Sequence, residues 1–153
     1  MKILVIDDKM EELGNAYSAV RAMGWGMAIR CDVSLEAGYE RRQSWIKAID
    51  DVDGVVTDLM WKDREDHGEK PMGLLVVAHA LSRGKPVVIC TNCGEYAKGG
   101  HDEAVNFILA GYLNYVKHEE KAAFDVEEHK DWGRAMKLLA RRMEHSKKPE
   151  EGA

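Results

Sequence analysis

Asp7 and Asp8 follow the apolar run Ile3-Leu4-Val5-Ile6, and Asp58 follows Gly54-Val55-Val56-Thr57. Thr91 closes Pro86-Val87-Val88-Ile89-Cys90, and Lys117 closes the run that begins at Tyr112. Three carboxylates, a hydroxyl and an amine therefore stand at the C-terminal ends of four separate hydrophobic segments. Taken singly, each has an ordinary explanation. An aspartate at the end of a strand is commonly a turn former or a helix cap. Thr91 alone is a strand residue and Lys117 alone a solvated cation. Their chemistry depends on whether the fold gathers them.

The elements that would gather them alternate along the chain. Ile3–Ile6 is short, continuous and apolar, the pattern of a strand covered on both faces. Met10, Leu13, Tyr17 and Val20 recur at helical spacing, and Gly24 and Gly26 close that helix. Met27–Cys31 forms a second, weaker strand. Ser34 is placed to cap a helix carrying Leu35, Tyr39, Ile46 and Ile49. Gly54–Leu59 is the third strand. A helix from about Gly73 to Leu81 turns Leu74, Leu75, Val77, Ala78 and Leu81 inward. Ser82-Arg83-Gly84-Lys85 turns the chain into the fourth strand, whose Pro86 suits a first position that needs no ladder donor. His101–Ala110 makes a fourth helix and Tyr112–Lys117 a fifth strand. Trp132, Met136, Leu139 and Met143 mark a final helix, and the tail from 147 to 153 is polar.

Strands alternating with helices predict an α/β fold: a parallel sheet with helices on both faces. Right-handed crossovers favour the doubly wound order 2-1-3-4-5, in which ligands bind beyond the carboxyl ends of the strands. In that order the first and third strands are neighbours, so Asp7, Asp8 and Asp58 converge. Close carboxylates do not all stay ionised unaided. A hard divalent cation resolves the conflict, and Mg²⁺ accepts a few carboxylates together with water and substrate oxygens. The pattern predicts a site for Mg²⁺ and a phosphoryl group.

The sequence resembles the receiver domains of two-component response regulators. The resemblance is carried by Ile-Leu-Val-Ile-Asp7-Asp8, Val-Val-Thr-Asp58-Leu-Met, Pro-Val-Val-Ile-Cys-Thr91 and Tyr-Val-Lys117. It spans nearly the whole chain in order and implies a flavodoxin-like fold over residues 1–146. By position it implies that Asp58 is the phosphoacceptor, that Asp8, with Asp7, holds Mg²⁺, and that the Met60 carbonyl completes the protein ligands. It further implies that Lys117 pairs with a phosphoryl oxygen. The Thr91 hydroxyl would bind the phosphoryl group and bias a surface made by the fourth helix and fifth strand. The implied partners are a sensor histidine kinase or phosphotransfer protein and a downstream protein target. The resemblance allows a homodimer through the fourth helix, fifth strand and fifth helix. Self-dephosphorylation would be weak at most, so the chain is not expected to be an enzyme in its own right.

Three departures stand out. Between Met60 and Pro71-Met72-Gly73 lies a charged insertion, about 61–70, predicted to be a loop beside the site, with Trp61 as a lid over the acids. Asn92 follows Thr91 where a small residue is usual. Lys117 is followed by His118 rather than proline, and Asn114 takes the place of an aromatic, leaving Tyr115 as the switch candidate. Cys90-Thr91-Asn92-Cys93 is a CxxC, but a structural zinc site needs further Cys or His ligands and Cys90 reads as core.

Composition narrows the alternatives. Net charge is -5, with no basic stripe beyond one face of the Arg134–Lys148 segment, which argues against direct nucleic-acid binding. No apolar run approaches the length of a membrane span. The N-terminus lacks signal-peptide features and the three cysteines form no disulfide framework, so a cytoplasmic protein is expected. A receiver-like interaction module that works without phosphorylation is the main competing function. An aspartyl-nucleophile phosphohydrolase would want a second acid two residues after its nucleophile, where Met60 and Met10 stand. A dinucleotide-binding turn would want glycines where the chain has Asp7-Asp8-Lys9-Met10.

Overall fold

The computed structural model describes residues 1–25, 29–32, 39–62, 68, 70–92 and 123–146. The protein is a mixed α/β structure built on a parallel sheet. Its elements in chain order are β1 (Ile3–Asp7), α1 (Met10–Ala22), β2 (Ile29–Asp32), α2 (Tyr39–Asp50), β3 (Gly54–Thr57), α3 (Met72–Ser82), β4 (Val87–Cys90), β5 (Asp125–Glu127) and α4 (Trp132–His145). β1 lies between β2 and β3, β3 lies between β1 and β4, and β5 flanks β4, with every pairing parallel. Leu4 stands opposite Ile29 and Val55, Val56 opposite Val88, and Ile89 opposite Val126.

Strand side chains alternate between faces, and here both faces are dry. Leu4, Ile6, Val55, Val87 and Ile89 pack under α2 and α3 with Trp45, Ile49, Val76 and Ala80. Ile3, Val5, Val56, Val88 and Cys90 pack under α1 and α4 with Leu13, Ala16, Val20, Met136 and Leu139. Sandwiching the sheet in this way explains why the central strands read as unbroken apolar runs. Trp132 joins the two helices of the second layer: its indole N–H donates to Glu12 Oε2 of α1 at 2.7 Å.

Helix faces differ from the sequence expectation at two places. In α1, Leu13, Ala16 and Val20 are buried, whereas Met10 and Tyr17 are exposed. In α3 the buried residues are Met72, Gly73, Val76, Val77 and Ala80, while Leu75 is 51 % exposed and Leu81 39 %. Of the five residues expected to face inward, Val77 is buried and Leu74 is partly buried against the core. The reason is a close approach at the start of α3. The Gly73 N–H donates to the Leu59 carbonyl at 2.9 Å, and a Cβ at position 73 would stand 2.8 Å from Leu59 Cα. That contact fixes the rotation of the helix and leaves Leu75 and Leu81 on its outer side.

The neighbour of β4 on its outer side is Asp125–Glu127, although the sequence predicts a fifth strand at Tyr112–Lys117. That stretch lies outside the described residues. So do the expected helix at His101–Ala110, Ser34 and Leu35 of the expected second helix, and Cys93, His118, Asn114 and Tyr115. Cys90 is a free, buried cysteine of the core, and its burial drives the thiol pKa far upward. Among the described residues, no helix is long and apolar enough to cross a membrane.

Candidate functional site

Parallel strands present their carboxyl ends on one edge of the sheet, and four of them contribute here. β1 ends in Asp7, with Asp8 next in the chain. Asp58 follows β3, and its N–H donates to the Ile6 carbonyl at 2.9 Å, which extends the β1–β3 ladder and sets Asp58 beside Asp7. Thr91 follows β4, and its N–H donates to the Glu127 carbonyl at 2.9 Å. The turn after β5 then delivers Lys130.

Asp7, Asp8 and Asp58 each offer a carboxylate oxygen, and the three oxygens lie within 4.8 Å of one another. Asp7 is fully buried and Asp58 is 3 % exposed. Among the described residues, Lys130 answers this concentration of charge. Lys130 Nζ donates to Asp58 Oδ2 at 2.8 Å and makes an ion pair with Asp7 Oδ2, also at 2.8 Å. The contact to Asp58 is a directed hydrogen bond, while that to Asp7 is better described as a charge contact. Asp58 Oδ1 accepts from the Leu59 N–H at 2.7 Å and Asp7 Oδ1 from the Lys9 N–H at 2.8 Å. Asp8 Oδ2 accepts a longer bond, 3.3 Å, from the Lys62 N–H.

The electrostatics show an incompletely compensated cluster. Burial raises the Asp7 pKa to about 6, with repulsion from Asp58 adding to it and Lys130 opposing. Burial likewise raises that of Asp58, again against the pull of Lys130. Burial works against the Lys130 ammonium, but Asp58 and Asp7 outweigh it and hold the group above the ordinary lysine range. With all four groups ionised, three negative charges meet one positive charge, and the remainder matches a divalent cation. The donor set fits one: it is made of oxygen alone, and Asp8 Oδ1 is buried with no hydrogen-bond partner among the described residues. The Thr91 hydroxyl, fully buried, is another polar atom at the site with no hydrogen-bond partner among the described residues. Unsatisfied buried polar atoms are uncommon and call for a cause such as a ligand.

Of the residues singled out from sequence, the fold brings Asp7, Asp8 and Asp58 together and seats Thr91 next to the lysine turn, where its carbonyl accepts the Lys130 N–H at 3.0 Å. Met60 follows in the same loop as Asp58, with its side chain in the core. Lys117 lies outside the described residues. Among the described residues the lysine that meets the acids is Lys130, which the spacing of apolar runs did not single out. A signal existed: Lys130 lies directly before the capping Asp131 of the last helix, in a short strand-to-helix connection of the usual length.

Trp61 is not a lid over the acids. It is 1 % exposed and packs in the layer of α2 and α3, edge-to-face with Trp45 at 6.3 Å between ring centroids. Its backbone pairs with Lys70 in an antiparallel bridge, N–H to carbonyl in both directions at 3.1 and 3.2 Å. This pairing closes the base of the insertion and commits the indole to the core, where a large apolar ring gains most. No family model matches the chain, and no curated protein is significantly similar to it in sequence.

Proposed function

We propose that the chain is a phosphoacceptor receiver domain of two-component signal transduction, flavodoxin-like in its doubly wound strand order 2-1-3-4-5, with Asp58 as the acceptor. One observation carries this reading: among the described residues a buried lysine, Lys130, bridges Asp7 and Asp58 beside a third carboxylate, and the buried Thr91 hydroxyl at the next strand end has no hydrogen-bond partner. A structural ion pair would be satisfied by one acid and one base. Among the described residues this cluster carries surplus negative charge and polar atoms without partners, which suits a cation and an anion.

In this reading an Asp58 carboxylate oxygen attacks phosphorus in line. An O–P bond forms while the N–P bond of a phosphohistidine, or the O–P bond of a small acyl phosphate, breaks and its electron pair leaves with the donor. Lys130 holds Asp58 in place beforehand and afterwards offers its ammonium to the transferred group. The Leu59 N–H fixes the second Asp58 oxygen, so the carboxylate cannot rotate away. The Thr91 hydroxyl has a free donor for a phosphoryl oxygen. Asp7, Asp8, Asp58 and the Met60 carbonyl would hold Mg²⁺, which when bound supplies positive charge against the phosphoryl oxygens. Partners of this chemistry are a histidine kinase or phosphotransfer protein and a downstream protein target. In this role the chain acts in the cytoplasm.

The test is intact mass after treatment with acetyl phosphate and Mg²⁺. A gain of one phosphoryl group that is absent in Asp58→Asn supports the assignment. An unchanged mass under saturating donor removes it and leaves the interaction module, whose partner binding would be indifferent to Asp58→Asn.

A further inference from the structure

The turn that carries Lys130 contains a buried acid that the chemistry above does not use. Glu127, the last residue of β5, is 3 % exposed. A buried carboxylate needs partners, and it has two among the described residues. Oε1 accepts from the His129 N–H at 3.3 Å, and Oε2 pairs with Arg134 Nε at 3.1 Å. Arg134 belongs to the first turn of α4 and its N–H is in turn capped by the Asp131 carboxylate at 3.0 Å. One side chain thus ties the middle of the turn to the helix that follows it.

Backbone bonds complete the circuit. The Glu127 carbonyl receives the Thr91 N–H, and three residues later the Lys130 N–H returns to the Thr91 carbonyl. Within this loop Lys130 has φ +50°, a left-handed conformation that side-chain-bearing residues rarely adopt. Such a conformation persists where its surroundings over-determine it. Nothing in Lys130 itself favours it. The constraint comes from the flanking bonds, and Glu127 supplies the buried, side-chain part of them.

We propose that Glu127 is a positioning residue whose carboxylate holds the Glu127–Asp131 turn in the conformation that delivers Lys130 to Asp7 and Asp58. Its kinetic consequence rests on the phosphoacceptor reading, whereas its structural half concerns the turn alone. Arg134 is largely exposed, so the bond to the His129 N–H carries most of the effect and a neutral acceptor at position 127 retains it.

The experiment combines a double-mutant cycle with amide exchange. Phosphoryl uptake from acetyl phosphate with Mg²⁺ is timed for the wild type, Glu127→Ala, Glu127→Gln, Lys130→Ala and the double variant Glu127→Ala/Lys130→Ala. Glu127→Ala slows uptake about tenfold, Glu127→Gln restores most of the rate, and the double variant is no slower than Lys130→Ala. Rates that fall multiplicatively, or a Glu127→Ala rate equal to wild type, overturn the proposal. Hydrogen exchange without phosphodonor is read in parallel. The Lys130 amide loses protection in Glu127→Ala while the amides of β1 and β3 keep theirs. Retained protection at Lys130, or an even loss across the sheet, also overturns it. If the wild type takes no phosphoryl group, the phosphoacceptor reading falls and the exchange result still decides the role of Glu127.

Discussion

Lys130 Nζ stands 2.8 Å from Asp58 Oδ2, although the two residues are 72 positions apart in the chain, and it reaches Asp7 at the same distance. One ammonium therefore serves two acids on adjacent strands. It restrains the proposed acceptor and offsets the charge of its neighbour. The lysine side chain is itself 6 % exposed, so water contributes little to this balance.

Removing the lysine tests that division of labour. Lys130→Ala lowers phosphoryl uptake by about 10²–10³-fold, the usual scale for deleting a preorganised charge. Lys117→Ala keeps the rate. Timed intact-mass measurements on both variants check this, and the opposite ranking would return the role to Lys117.

The raised Asp7 pKa has a consequence for stability. A carboxyl with a pKa of about 6 in the folded protein and 3.8 when exposed binds its proton more tightly when folded. Stability from this group is present at low pH and declines as pH rises from about 4 to about 6, by roughly 3 kcal/mol at 1.36 kcal/mol per unit. Asp7→Asn lacks that decline. In denaturant titrations with a chelator present, its advantage over wild type grows across this window and levels off above it. Added Mg²⁺ shrinks the advantage by favouring the ionised acid. A gap that stays constant from pH 4 to 7 contradicts the assignment.

Gly73 sits against the backbone of Asp58 and Leu59, neither of which is a flexible side-chain end that can move aside. Gly73→Ala is expected to cost about 1–3 kcal/mol, the range for overpacking a tight contact. Because the displaced atoms belong to the proposed acceptor itself, uptake in the folded fraction slows as well. Thermal melting and timed phosphorylation read the two effects separately.

Trp61 makes a contrasting prediction. As a core residue, Trp61→Ala destabilises by about 3–5 kcal/mol, whereas Trp61→Phe keeps an aromatic ring against Trp45 and costs less. Denaturant unfolding gives both values. A Trp61→Ala protein of unaltered stability with a changed phosphoryl lifetime would restore the lid.

Much of the scaffold was legible because periodicity follows burial. β1, β3 and β4 are sandwiched on both faces and therefore read as unbroken runs, and the acids at their ends stand out against them. α4 is legible for the same reason, its buried residues falling at strict helical spacing from Trp132 to Met143. β5 was hidden: it is three residues long, and Asp125 and Glu127 carry charges that are satisfied by Arg142 and Arg134 rather than by water alone. Its polar composition gave no strand signal of its own, while the expected strand at Tyr112–Lys117, and Lys117 with it, lies outside the described residues. The rotation of α3 was equally invisible, since it depends on a glycine touching another backbone and not on hydropathy. Trp61 was misplaced because its neighbours are charged, although its own bond pattern turns it into the core.

The antiparallel bridge between Trp61 and Lys70 separates the length of the intervening segment from the integrity of the body. Two backbone bonds pin both stems, so the distance the segment must span is set whatever its sequence. Doubling the length of a flexible connection adds only about 0.6 kcal/mol of closure entropy. Chain length between the two pinned stems is therefore free to change while the body of the protein stays intact.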